Sequence, residues 1–112
     1  MFGKMDPYVV IKNRQQVLKT KEHTDGGKTP TWNETVELDV KYIGDDITLD
    51  IMDSELVGSD EVIGSATIKL SSMCVVGGLD EWWSVAYKGK KAGQLHLRCM
   101  WQPAGGVAGA VP

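Results

Sequence analysis

The stretch Ile47-Thr48-Leu49-Asp50-Ile51-Met52-Asp53-Ser54-Glu55-Leu56-Val57-Gly58-Ser59-Asp60-Glu61 sets two signals end to end. In its first part apolar Ile47, Leu49 and Ile51 alternate with polar Thr48 and Asp50. Period two marks a strand with one face buried and one face wet. In its second part carboxylates crowd a short loop around Gly58. The alternation recurs on both sides. Val36, Leu38 and Val40 alternate with Glu37 and Asp39, and Ala66, Ile68 and Leu70 with Thr67 and Lys69. Leu95, Leu97, Cys99 and Trp101 alternate with His96, Arg98 and Met100. Tyr8-Val9-Val10-Ile11 and Val17-Leu18 add two more strands. Turn residues fall between these runs, at Asp25-Gly26-Gly27-Lys28, Gly44-Asp45-Asp46 and Lys88-Gly89-Lys90-Lys91-Ala92-Gly93. No segment keeps a 3.6-residue period for three turns. Half-buried antiparallel strands at this spacing predict an all-β sandwich or small barrel.

The chain has 112 residues, enough for one domain with its own core. With 42% hydrophobic and 24% charged residues it has the composition of a globular protein, not of a disordered one. Residues 1–102 are expected to form the domain. Residues 103–112, only Pro, Ala, Gly and Val, are expected to be a tail or linker. No apolar run approaches the ~20 residues that span a bilayer. The start, Met1-Phe2-Gly3-Lys4-Met5-Asp6, lacks the apolar stretch of a signal peptide. The cytoplasm is the expected address. Cys74 and Cys99 have no Cys-x-x-Cys spacing, and His23 and His96 fit no zinc pattern.

The net charge of −3 is unevenly spread. Residues 1–28 carry +3, residues 33–61 carry −9 and residues 62–112 carry +3. Such segregation either steers partners of opposite sign or is ordinary solvated surface.

The acidic loop is the sharpest chemical feature. Asp53, Glu55, Asp60 and Glu61 lie close in sequence, with Gly58 to let the chain fold over. Calcium takes several oxygen ligands and tolerates irregular geometry, so a flexible acidic loop suits it. An exposed turn with its charges pointing apart is the alternative. Leu56 and Val57 at the tip belong to no alternating pattern and are candidates to touch a bilayer. The second feature is basic. Lys19 and Lys21 leave one face of a strand, with Lys12, Arg14 and Tyr8 on the strand before. Anionic headgroups attract such a patch. A long nucleic acid is disfavoured by the −9 segment and by the lack of interleaved exposed aromatics. Adjacent Trp82 and Trp83 are expected to point to opposite faces. No nucleophile elbow, phosphate-cradling glycine loop or two-histidine metal helix is present, so an enzyme is not expected.

Asp6-Pro7-Tyr8-Val9-Val10, then Lys28-Thr29-Pro30-Thr31-Trp32-Asn33-Glu34, then Asp53-x-Glu55 followed by Val62-Ile63-Gly64, together resemble a C2 domain, from about Met1 to Trp101. The small single-domain C2 proteins of plants and protists are the most similar type. The resemblance implies an antiparallel Greek-key β-sandwich of eight strands, with three loops at one end that bind calcium and touch phospholipid. The strand that opens the family's pattern is absent here, and the first-loop aspartate would fall one residue before Met1. Seven strands are therefore expected, and either the chain is a trimmed fragment or a partner's strand fills the interior position. By the same resemblance Asp6, Asp53, Glu55 and Glu61, with Asp60 beside it, fall at calcium-ligand positions. Lys19-Thr20-Lys21, with Tyr8 and Asn33, resembles the inositol-phospholipid patch of conventional protein kinase C. Val10 stands where that patch has a lysine, Met52 where it has a tryptophan, and Gly58 where a calcium loop can carry a serine. The implied function is calcium-dependent attachment to anionic phospholipid as a peripheral membrane protein. A calcium-independent protein-interaction module on the same sandwich is the alternative.

Overall fold

The computed structural model describes residues 5–23 and 29–102. The turn expected at 25–28, the tail expected at 103–112 and residues 1–4 lie outside them. Among the described residues there are six strands: β1 (Pro7–Asn13), β2 (Gln16–Lys19), β3 (Asp46–Asp53), β4 (Glu61–Lys69), β5 (Leu79–Tyr87) and β6 (Lys90–Cys99). All pairings are antiparallel, in the spatial order β2-β1-β3-β4-β5-β6. The sole helical element among the described residues is a 3-10 turn at Leu70–Ser72, and no helix is long and apolar enough to cross a membrane.

The join between β4 and β5 is one residue pair, Ser65 with Ala86. The ladder opens on either side of that pair, and the β5–β6 hairpin folds over the β1–β3–β4 face. Val9, Ile47, Leu49, Ala66, Ile68 and Leu70 from one side meet Val85 and Leu95 from the other in a single core. This is the sandwich that the alternation predicts. Gly64 lies at the fold line. A Cβ there would sit 2.5 Å from Val85 Cγ1, so only glycine lets the two layers approach.

The stretch 36–40 differs from expectation. Its side chains alternate in burial as predicted, and Leu38 and Val40 pack on the core. It nevertheless has no ladder partner among the described residues. Side chains fasten it instead. The Gln16 amide donates from Nε2 to the Asp39 carbonyl (2.6 Å) and accepts from the Asp39 N–H (2.9 Å), much as a neighbouring backbone would. The Lys21 N–H donates to Glu34 Oε1 at 2.9 Å. A strand needs a neighbour to be a strand. The outer side of β6, the second edge of the sheet, also has no strand beside it among the described residues.

Trp83 faces the core while Trp82 points outward, stacked on His96 with ring centroids 4.9 Å apart. Cys74 and Cys99 are free, half-buried thiols. Burial pushes both thiols up, and Cys74 adds to the shift on Cys99.

Candidate functional site

A β-bulge builds the acidic site. Ile51 pairs with Gly64, but Met52 pairs with Val62 and Asp53 with Glu61, so Ile63 is the extra residue. In an unbroken ladder Asp53 would face Val62. The slip instead sets the Glu61 carboxylate opposite that of Asp53, where the two strands open into the loop. Gly58, at a φ of 88°, lets the loop turn back. Asp53, Glu55 and Glu61 then place one carboxylate oxygen each within 4.8 Å of one another. Asp6 joins from just before β1: its N–H donates to Asp53 Oδ1 at 3.0 Å, and its carbonyl accepts from the Ser54 N–H at 3.2 Å. Burial, then the charges of Asp53 and Glu61, push the Glu55 carboxyl above its usual range. Like charges held this close resist ionisation together, and a hard cation relieves that tension. The donor set is all oxygen and lies in an exposed loop that can adjust, which fits calcium.

Asp60 is placed apart from these three. Its Oδ2 accepts from the Tyr8 hydroxyl, and its Oδ1 accepts from the Glu55 N–H at 3.0 Å. The Tyr8 hydroxyl, then that N–H, hold the Asp60 carboxyl below its usual range, and Lys19 adds to the effect. In return the hydrogen bond to Asp60, followed by burial, pushes the Tyr8 phenol up to about 12. Asp60 thus shapes the loop and points toward the basic face.

That face is a shallow cavity of about 410 Å³ lined by Tyr8, Lys19, Thr20, Lys21, Glu22 and Asp60. The pairing of Val10 with Lys19 sets Lys19 on the same side as Tyr8, and its Nζ lies 5.7 Å from the Tyr8 ring centroid. Lys12 shares that side but forms an ion pair with Asp50 at 3.6 Å, and Arg14 pairs with Asp45. Both lie outside the cavity. Leu56 and Val57 are fully or almost fully exposed at the loop tip.

Two features of this end are not legible in the sequence. Glu22 lines the cavity beside Thr20, in the opposite phase from Lys19 and Lys21, so the period-two reading of that stretch does not flag it. The bulge at Ile63 has no sequence signal of its own beyond an apolar pair, Val62-Ile63, that breaks the alternation.

The C2 domain family model matches residues 1–85. The chain belongs to the C2 domain family. It is 35% identical over 75 residues to elicitor-responsive protein 3 of Oryza sativa subsp. japonica, covering 67% of this chain and 52% of that protein. It is 33% identical over 97 residues to extended synaptotagmin-1 of Rattus norvegicus, covering 86% of this chain and 8% of that one. The chain therefore spans about half the length of the small plant relatives it matches. Among solved structures, a C2 domain-containing protein from an elicitor-responsive gene matches with a TM-score of 0.79 and 29% identity, over 96% of this chain and 79% of that one. A calcium-bound pair of C2 domains from extended synaptotagmin 2 matches at 0.72 and 29%, over 88% of this chain and 36% of that one. The sandwich read from the alternation is the C2 fold. C2 domains are in general non-catalytic binding modules, and this one is related to those of the synaptotagmin type.

Proposed function

We propose that this C2 domain, formed by residues 1–102 with 103–112 as a tail, attaches to anionic phospholipid in a calcium-dependent way as a peripheral protein of the cytoplasm. The observation that carries this reading is the convergence of Asp53, Glu55 and Glu61, with ligand oxygens within 4.8 Å and Asp6 hydrogen-bonded beside them. Calcium bound there supplies positive charge that offsets the carboxylates and can itself meet a headgroup oxygen. Asp60, tied to Tyr8 and to the Glu55 N–H, keeps the loop in shape. Leu56 and Val57 then enter the bilayer surface from the loop tip. Tyr8, Lys19 and Lys21 take a phosphorylated headgroup in their cavity, with Lys12 as a more distant contributor restrained by Asp50.

Sedimentation with phosphatidylserine vesicles tests the reading. The protein is expected to pellet with vesicles in calcium and to stay in solution with a chelator, and Asp53→Asn is expected to stay in solution in both. Pelleting that ignores the chelator would remove calcium from the account. One observation favours a second reading, a calcium-independent protein-interaction module. Residues 36–40 have no ladder partner and β6 has an open outer edge among the described residues, so an incoming strand has backbone groups to pair with. Absence of binding to any anionic vesicle, with or without calcium, would favour it.

A further inference from the structure

The β5–β6 hairpin closes with Lys88 and Gly89, both left-handed at φ values of 52° and 79°. Two such residues in a two-residue loop are the signature of a type I′ turn, whose first position favours asparagine, aspartate or glycine. Lysine there is a poor choice for the turn, so turn geometry does not account for it. The register shows where the tip stands. Ser65 pairs antiparallel with Ala86, and the Cβ of a residue at Gly64 would meet Val85 and Ala92. From Ser65, β4 runs back toward Glu61, while from Ala86, β5 runs forward to Tyr87. The turn therefore lies at the Glu61 end of the sandwich, level with Val62 and Ile63. That is the end that carries Leu56 and Val57.

The charges at the tip differ from those along the sheet. Lys12, Arg14, Lys41, Lys69 and Arg98 each form an ion pair with an aspartate. Lys88, Lys90 and Lys91 are exposed and have no ion pair among the described residues. Lys88 instead lies over the half-exposed Tyr87 ring, 5.3 Å from its centroid. Three like charges this close repel one another, and an extended anionic surface lowers that repulsion. A long nucleic acid is a poor occupant, because Asp53, Glu55, Asp60 and Glu61 stand at the same end. A bilayer surface suits it, since exposed Leu56 and Val57 stand at the same end and Tyr87 lies beside Lys88, and all three have an apolar layer to enter.

We propose that the hairpin tip Tyr87–Lys91 is a second membrane contact that takes anionic phospholipid headgroups beside the acidic loop, so that the domain stands on the bilayer by this end. The proposal rests on the membrane reading above and adds to it a site and an orientation. At about five-fold per lysine near an anionic surface, the three together strengthen binding on the order of 100-fold. The neighbouring carboxylates oppose this contribution until a cation offsets them, so it is expressed mainly in calcium.

The test compares wild type with the triple variant Lys88→Asn, Lys90→Gln, Lys91→Gln on phosphatidylcholine vesicles with and without phosphatidylserine, in calcium. Asparagine suits the left-handed position, so the variant is expected to melt no lower than wild type. Calcium titration without lipid is expected to be unchanged. Affinity for serine-lipid vesicles is expected to fall by about ten- to a hundred-fold, while Lys69→Gln, at the far end of β4, leaves it intact. If the triple variant fails to fold, Lys90→Gln with Lys91→Gln alone is expected to lose about ten-fold or more. Wild-type binding with no loss in a folded variant would overturn the hairpin contact and leave the membrane reading standing. Wild-type protein that stays off serine-lipid vesicles would remove both.

Discussion

Tyr8 and Asp60 show how a single contact links two functions. The phenol donates to a carboxylate that also accepts from the Glu55 backbone, so the basic cavity and the acidic loop share a residue. The sequence marks Asp60 as a metal-ligand candidate and Tyr8 as a headgroup candidate, each from its own neighbourhood. They are 52 residues apart, and only the antiparallel pairing of β1 with β3 brings them together. No local pattern carries that information. Ultraviolet titration of the tyrosines checks the contact. In wild type one phenol is expected to ionise near 12, and Asp60→Asn is expected to bring it back toward the ordinary value of about 10. The linkage has a definite sign. A group whose folded pKa is raised adds stability that is fully present below its unfolded pKa and is lost as pH rises through the folded one. The wild-type advantage over Asp60→Asn from this group is thus expected below about pH 10 and gone above about pH 12. A wild-type titration with every tyrosine near 10 would contradict the contact.

At the scale of elements, the alternation of residues 47–51, 66–70 and 95–99 predicts strands β3, β4 and β6, because burial on one face of a strand imposes period two on the sequence. It predicts the inward and outward faces of 36–40 as well, but not their lack of a ladder. Pairing depends on a neighbour, and a strand's own residues do not report whether one is there. The bulge is equally hidden, although it decides the site. Deleting Ile63 is expected to close the bulge into a regular ladder that still pairs Met52 with Val62 and Asp53 with Glu61. Calcium binding and the strand content seen by circular dichroism are then both expected to survive, and loss of calcium binding would mean that the local bend of the bulge, not the register, positions Glu61. Gly64 tests the fold line between the layers. Gly64→Ala drives a methyl to 2.5 Å from Val85 Cγ1 and is expected to cost about 1–3 kcal/mol in denaturant unfolding, with Val85→Ala in the same chain recovering part of the loss. An additive double variant would mean that the two residues do not meet.

At the scale of the whole molecule, a chain with a net charge of −3 is proposed to rest on an anionic surface. The charge segregation makes this reasonable. Most acids of the 33–61 segment pair with lysine or arginine along the sheet or gather in the one loop. Among the described residues, the lysines without an ion pair include those of the Tyr8 cavity and of the hairpin tip. Attraction to lipid is therefore held back by a few carboxylates at one end. Calorimetric titration of the intact chain with calcium tests that claim most directly. Wild type is expected to show one saturable binding process, and the paired variant Asp53→Asn with Glu61→Gln is expected to lack it. A flat titration of wild type, or an identical isotherm for the variant, would contradict it.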